Sequence, residues 1–156
     1  MPTTDDLSIR SFRIHVRVSA DSSGGALSVL EHRLDPGYLA LPPHTHARET
    51  ETTLVLEGRL SVRVGATVRV LRPGDALVKP AGEQHAAWNV GDEPARWLEI
   101  ATPGGLEAHY RRVAPLVPAA GPADVEAIRA VSREAGIEYD VDAMLPLVET
   151  YGVRLP

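Results

Sequence analysis

Three histidines and a glutamate stand in an order that chemistry can use. His44-Thr45-His46 places two imidazoles at i and i+2, which on an extended strand project to the same side and can converge on one ion. Glu51 follows shortly after, on a stretch from 51 to 57 whose alternate residues Glu51, Thr53, Val55 and Glu57 share one face. His85 comes later, on a stretch where His85, Ala87 and Asn89 share a face. Three imidazoles with one carboxylate suit one divalent first-row transition metal, Fe, Mn, Co, Ni, Cu or Zn, with room for water or a small-molecule substrate as further ligands. Glu49 has the same parity as Glu51, so the residues alone leave two candidate carboxylates. His15, His32 and His109 lack partners at such spacing and read as structural.

The elements that must carry these side chains are strands. From Ser11 to about Thr102 short apolar stretches recur at period two, punctuated by Gly, Pro and Asp, which predicts an antiparallel all-β domain. Strands are expected at roughly 12–18, 26–34, 37–41, 51–57, 60–64, 67–72, 76–79, 84–90 and 95–101. Turns such as Glu57-Gly58-Arg59 and Arg72-Pro73-Gly74-Asp75 separate them. So many short strands call for a sandwich or barrel, since an open sheet would leave its edges unprotected. After Pro103 the spacing becomes helical, first through Leu106, Tyr110 and Val113, then over about 122–135, with Gly136 placed to cap the end. Asp124-Val125-Glu126-Ala127 and Gly136-Ile137 reappear 16 residues on as Asp140-Val141-Asp142-Ala143 and Gly152-Val153. This reads either as two helix-plus-extended units or as chance likeness between two amphipathic helices, and Pro146 should kink or shorten the second.

Composition narrows the chemistry further. The chain has 156 residues, no cysteine, and a formal net charge of −5. A disulfide framework, thiolate catalysis and sulfur-based zinc sites are excluded, so any metal must be held by His and carboxylate. An acidic balance without a basic cluster argues against nucleic acid and anionic membrane as partners. The polar N-terminal stretch has no apolar run, and a cytoplasmic location is expected.

The residues also resemble a known family. Gly37-Tyr-Leu-Ala-Leu-Pro-Pro-His44-Thr-His46-Ala-Arg-Glu-Thr-Glu51-Thr-Thr-Leu-Val-Leu-Glu-Gly58 is similar to the first motif of the cupin superfamily, G-x5-H-x-H-x3-4-E-x6-G. One departure is visible: six residues rather than five separate Gly37 from His44. Gly74-Asp-Ala-Leu-Val-Lys-Pro80-Ala-Gly82-Glu-Gln-His85-Ala-Ala-Trp-Asn89 is similar to the second motif, G-x5-P-x-G-x2-H-x3-N, without departure. The resemblance implies a cupin jelly-roll β-barrel over 1–103 with a C-terminal helical extension over 104–156, a metal in the barrel mouth and a homodimer. It assigns His44, His46, Glu51 and His85 as ligands. The family spacing selects Glu51 over Glu49, which is left at the solvent rim or hydrogen-bonded to a ligand imidazole.

Alternation places Thr53, Val55 and Ala87 toward the metal and Trp88 away from it. On 95–101 neither face is clearly apolar, and Leu98 and Ile100 are assigned inward, which gives Thr53, Val55, Ala87 and Leu98 as the substrate pocket. Thr53, where many related barrels carry an aromatic, suggests a roomy and slightly polar cavity. Lys79 reads as a solvated surface side chain, with a hold on an anionic substrate as the alternative. The chain resembles quercetinase-like cupins, which implies a metal-dependent dioxygenase acting on a chelated enolic or phenolic molecule, with Glu51 as general base. The alternatives are a cyclase, isomerase or decarboxylase working through an enolate on a polyketide-like or keto-acid substrate, and a non-catalytic small-molecule-binding cupin. The tail is expected to pack on the barrel's outer face or to close its mouth.

Overall fold

The computed structural model describes residues 6–156. Alternation is the local rule that builds it. The strand Ser28–Leu34 buries Ser28, Leu30, His32 and Leu34 and leaves the residues between them half-exposed. Thr50–Glu57 buries Glu51, Thr53 and Val55, and Ala95–Thr102 buries Ala95, Trp97, Glu99 and Ala101. Each strand thus has one face for a shared interior and one for the outside.

Among the described residues twelve strands form two antiparallel sheets. They are β1 Asp6–Ile9, β2 Phe12–Val18, β3 Ser28–Leu34, β4 Tyr38–Leu39, β5 His44–His46, β6 Thr50–Glu57, β7 Leu60–Val64, β8 Thr67–Leu71, β9 Ala76–Lys79, β10 His85–Asn89, β11 Ala95–Thr102 and β12 Ile137–Tyr139. The first sheet runs β1-β2-β3-β11-β6-β9; the second runs β12-β5-β10-β7-β8, with β4 also on β10. Their inner faces close on a core that includes Phe12, Ile14, Leu30, Leu34, Val55, Leu60, Val62 and Trp97. The jelly-roll expectation holds. Gly58 makes the turn between β6 and β7 at φ +70°, and a Cβ there would lie 2.5 Å from the Pro94 carbonyl oxygen, so only glycine fits.

Three helices follow the barrel: α1 Leu106–Val113, α2 Val125–Glu134 and α3 Met144–Tyr151. The 16-residue likeness is structural. Asp124 Oδ1 accepts from the Ala127 amide at 3.0 Å, and Asp140 Oδ1 accepts from the Ala143 amide at 2.9 Å. After the helices Gly136 and Gly152 take φ of +75° and +65°, and each releases a short extended run onto the second sheet. The first run is β12, which pairs with β5; the second reaches β4, where the Leu39 amide donates to the Arg154 carbonyl at 2.8 Å. Pro146 sits in the first turn of α3, where its missing amide costs no helical hydrogen bond. Leu147 and Val153 cover Leu39, Ala86 and Trp88 on the outer face of the second sheet, so Trp88 points away from the barrel interior as alternation requires.

Candidate metal centre

Register delivers the four motif side chains to one place. His85 on β10 pairs directly with His44 on β5, and His46 follows two residues along the same strand. Glu51 enters from β6 in the opposite sheet. One candidate ligand atom from each of His44, His46, Glu51 and His85 lies within 4.8 Å of all the others, and all four residues are buried. His85 Nε2 is 2.8 Å and His46 Nε2 3.7 Å from Glu51 Oε2.

The imidazoles are set from behind. His44 Nδ1 lies 2.8 Å from the Pro42 carbonyl oxygen and His85 Nδ1 lies 3.2 Å from that of Glu83. A carbonyl only accepts, so both Nδ1 atoms carry the proton and each Nε2 keeps its lone pair for the interior. Burial, then neighbouring positive charge, holds both rings below the usual imidazole range, and they are neutral and able to ligate at pH 7. Behind His46, Glu49 Oε2 stands 3.5 Å from Nδ1. Glu49 is buried rather than at the rim, but it faces the ligand imidazole as the alternative expectation had it.

Three buried atoms aimed into this space make no formed hydrogen bond: His46 Nε2, His85 Nε2 and Glu51 Oε2, the last in ion-pair contact with Lys79 Nζ at 3.1 Å. Unpaired lone pairs in a dry interior are costly unless a cation takes them. A divalent transition metal satisfies all three at once, and the donor set of nitrogen and carboxylate oxygen is one such ions accept. The residues therefore fit the group that the motifs imply.

Sequence reading missed the floor of the site. Lys79, expected in solvent, is 4% exposed, because its position opposite Glu51 on β9 turns it inward. Its Nζ donates to Glu99 Oε2 at 2.8 Å and lies 3.1 Å from Glu51 Oε2. Thr53 Oγ1 and Trp97 Nε1 also donate to Glu99, at 3.0 and 3.2 Å. Burial pushes the Glu51 carboxyl up, but the Lys79 ammonium and His85 outweigh it and hold Glu51 well below the usual carboxylate range. Burial raises Glu99, which keeps less of the Lys79 stabilisation than it loses by desolvation.

The pocket expectation needs correction. Trp97 and Glu99 are the buried residues of β11; Leu98 and Ile100 lie half-buried on the opposite face, where Leu98 pairs with Leu54 and Ile100 with Thr52. Leu98 therefore does not line the interior. Thr53 does face inward, yet the space around it is filled by Glu99 and Lys79, so the roomy cavity is absent there. Val55 is packed into the core, and Ala87 shares His85's face and packs against that core. Cavities of about 420 and 260 Å³ open outside the cluster; the first is lined by Thr45, Gln84 and Tyr139, the second by Glu49 and His109, and neither by any of the four motif residues.

What separates those cavities from the cluster comes from the extension. In β12, Ile137 pairs with His46 and Tyr139 with His44. The Tyr139 ring stands 5.3 Å from that of His44, and its hydroxyl is 3.4 Å from His109 Nε2 on α1. Residues 137–139 thus add a strand to the one that bears two of the imidazoles, a contact no local pattern announced.

Comparison with known proteins agrees with this architecture. A cupin domain family matches residues 30–101. Germin-like protein subfamily 2 member 1 of Arabidopsis thaliana is 43% identical over 76 residues, which are 44% of this chain and 34% of that protein. The chain spans only 28–34% of the length of the curated relatives it matches. Among solved structures, a sugar phosphate isomerase of the cupin superfamily from Silicibacter pomeroyi is 28% identical over 59% of each chain, with a TM-score of 0.52. A recombinant oxalate oxidase in complex with glycolate is 26% identical over 62% of this chain and 55% of its own, with a TM-score of 0.53. With both motifs facing each other inside a two-sheet barrel and a cupin domain matched over residues 30–101, the barrel of this chain carries a cupin domain.

Proposed function

We propose that this protein is a metal-dependent dioxygenase that acts on a small enolic or phenolic molecule chelated at an ion held by His44, His46, Glu51 and His85. The observation that carries the reading is the set of buried donor atoms without a formed hydrogen bond, His46 Nε2, His85 Nε2 and the ion-paired Glu51 Oε2, converging beside His44. When bound, the ion supplies Lewis acidity that lowers the pKa of the substrate hydroxyl. His44 and His85 are oriented for it by the Pro42 and Glu83 carbonyls, and His46 by Glu49. Glu51 takes the hydroxyl proton, a task that requires its contact with Lys79 to loosen, because a carboxylate paired with an ammonium is a weak base. Tyr139, His109 and β12 exclude water while O2 adds to the resulting organic anion. The likeness to an oxalate oxidase supports a reaction that uses O2.

A second reading keeps the enolate and drops O2, giving a cyclase, isomerase or decarboxylase, and the likeness to a sugar phosphate isomerase favours it. The test is oxygen consumption by each metal-reconstituted form against enolic and phenolic compounds, repeated without air. Turnover that stops with O2 removed supports the dioxygenase; turnover that persists moves the assignment to the second reading. Glu51→Gln that keeps its metal and full turnover overturns the base role.

A further inference from the structure

Lys79 is the only lysine of the chain, and it is placed where a charge is hardest to keep. A buried ammonium is tolerated only when its protons find acceptors. Glu99 is the anchor: it accepts a hydrogen bond from Lys79 Nζ at 2.8 Å and is itself fixed by Thr53 Oγ1 and Trp97 Nε1. Glu51 is a looser neighbour, with Oε2 3.1 Å from Nζ but also 2.8 Å from His85 Nε2. Of the three ammonium protons, one goes to Glu99 and a second lies within reach of Glu51. The third has no acceptor among the described residues. Thr53, Trp97, Glu99 and Lys79 come from three different strands, so this is a built arrangement and not a stray surface pair.

We infer that Lys79 reads the charge of the substrate, by contacting a negatively charged oxygen of a molecule held at the metal centre. The inference rests on the metal reading above and adds the substrate class: small monoanionic chelators, such as enolates and α-hydroxy or α-keto carboxylates. Geometry supplies the reach, because Nζ and His85 Nε2 flank the same Glu51 oxygen, and a ligand oxygen that settles beside that carboxylate comes within hydrogen-bond range of the ammonium. Charge supplies the selection. Glu49 is offset by Arg48 at 3.6 Å, so Glu51, Glu99 and the Lys79 ammonium leave the interior with one negative charge, which a divalent ion turns into one positive charge. In a water-poor interior a monoanion neutralises it, whereas a neutral chelator leaves it uncompensated.

The test uses the full chain loaded with Co(II), whose visible absorption reports ligands entering the ion's surroundings, titrated with glycolate and with its neutral counterpart glycolamide. Wild type is expected to bind glycolate about tenfold or more tighter than glycolamide, and Lys79→Met to lose about that factor for glycolate with glycolamide changed by less than roughly twofold. Lys79→Arg should recover part of the loss. Should Lys79→Met fail to fold, Lys79→Gln, which keeps a donor toward Glu99 while removing the charge, must show the same selective loss. A variant that still takes Co(II) and binds glycolate as wild type does overturns the inference and leaves Lys79 a counter-ion of Glu99. A wild type that takes no Co(II) overturns the metal reading itself, and this inference with it.

Discussion

At the scale of single residues, two histidines outside the metal centre set how the fold responds to acid. His32 lies among Phe12, Trp97 and Tyr110, with ring centroids 4.8 to 5.8 Å away, and its Nε2 has no partner. Burial, then the Lys79 charge, lowers it from 6.5 to about 3. His109 is lowered to about 4, again chiefly by burial. Both stay neutral in the fold while the unfolded chain takes up protons below pH 6.5. Their contribution is therefore complete above 6.5 and is lost as pH falls from there toward the folded values. For His32 alone the loss at pH 5 is about 2 kcal/mol. Urea unfolding at pH 7.5 and 5 should show it, and His32→Phe, which keeps the ring contacts without the titrating nitrogen, should flatten the difference. Equal slopes for the two proteins would remove His32 from the explanation.

At the scale of elements, β12 decides access. Tyr139 covers His44, so Tyr139→Ala should let a chelator strip the metal about tenfold faster, at a stability cost of about 2 kcal/mol, below that of a fully buried aromatic because Tyr139 is half-buried. Stripping at the wild-type rate would mean that the extension does not limit access. This strand also marks the limit of what the sequence discloses. Most barrel strands were legible because their alternation is written in consecutive residues, and His44, His46, Glu51 and His85 were legible because motif spacing encodes their parity. β12 is three residues long, too short for a period, and its partner lies about ninety residues earlier in the chain. β1, at four residues, is nearly as brief. Lys79 and Glu99 meet only through β6, which lies between β9 and β11, and nothing local to either residue records that. The assignment of Leu98 and Ile100 to the interior failed for a different reason: the outer face of that sheet is itself apolar, so hydrophobicity could not tell inside from outside.

At the scale of the whole molecule, that outer face bears on assembly. Val29, Leu54, Leu98 and Ile100 are half-buried on it, joined by Val78 at 52% exposure, and together they offer a second copy of the chain an apolar surface. The homodimer expected from the family resemblance would bury this face. Light scattering on the purified protein should give twice the chain mass, and Leu98→Glu should return it to one chain while the metal is retained. A wild-type monomer at tens of micromolar would leave the face without that role.

One further consequence follows from the lone lysine. With Lys79 closed inside the barrel, amine-directed reagents meet no lysine on the folded surface, and acylation of that side chain must wait for the interior to open. Its labelling rate is therefore a clock for the breathing of the barrel, readable by mass spectrometry at one position without any engineered probe. Ligands that tighten the core will slow the clock, and conditions that loosen it will make it run faster.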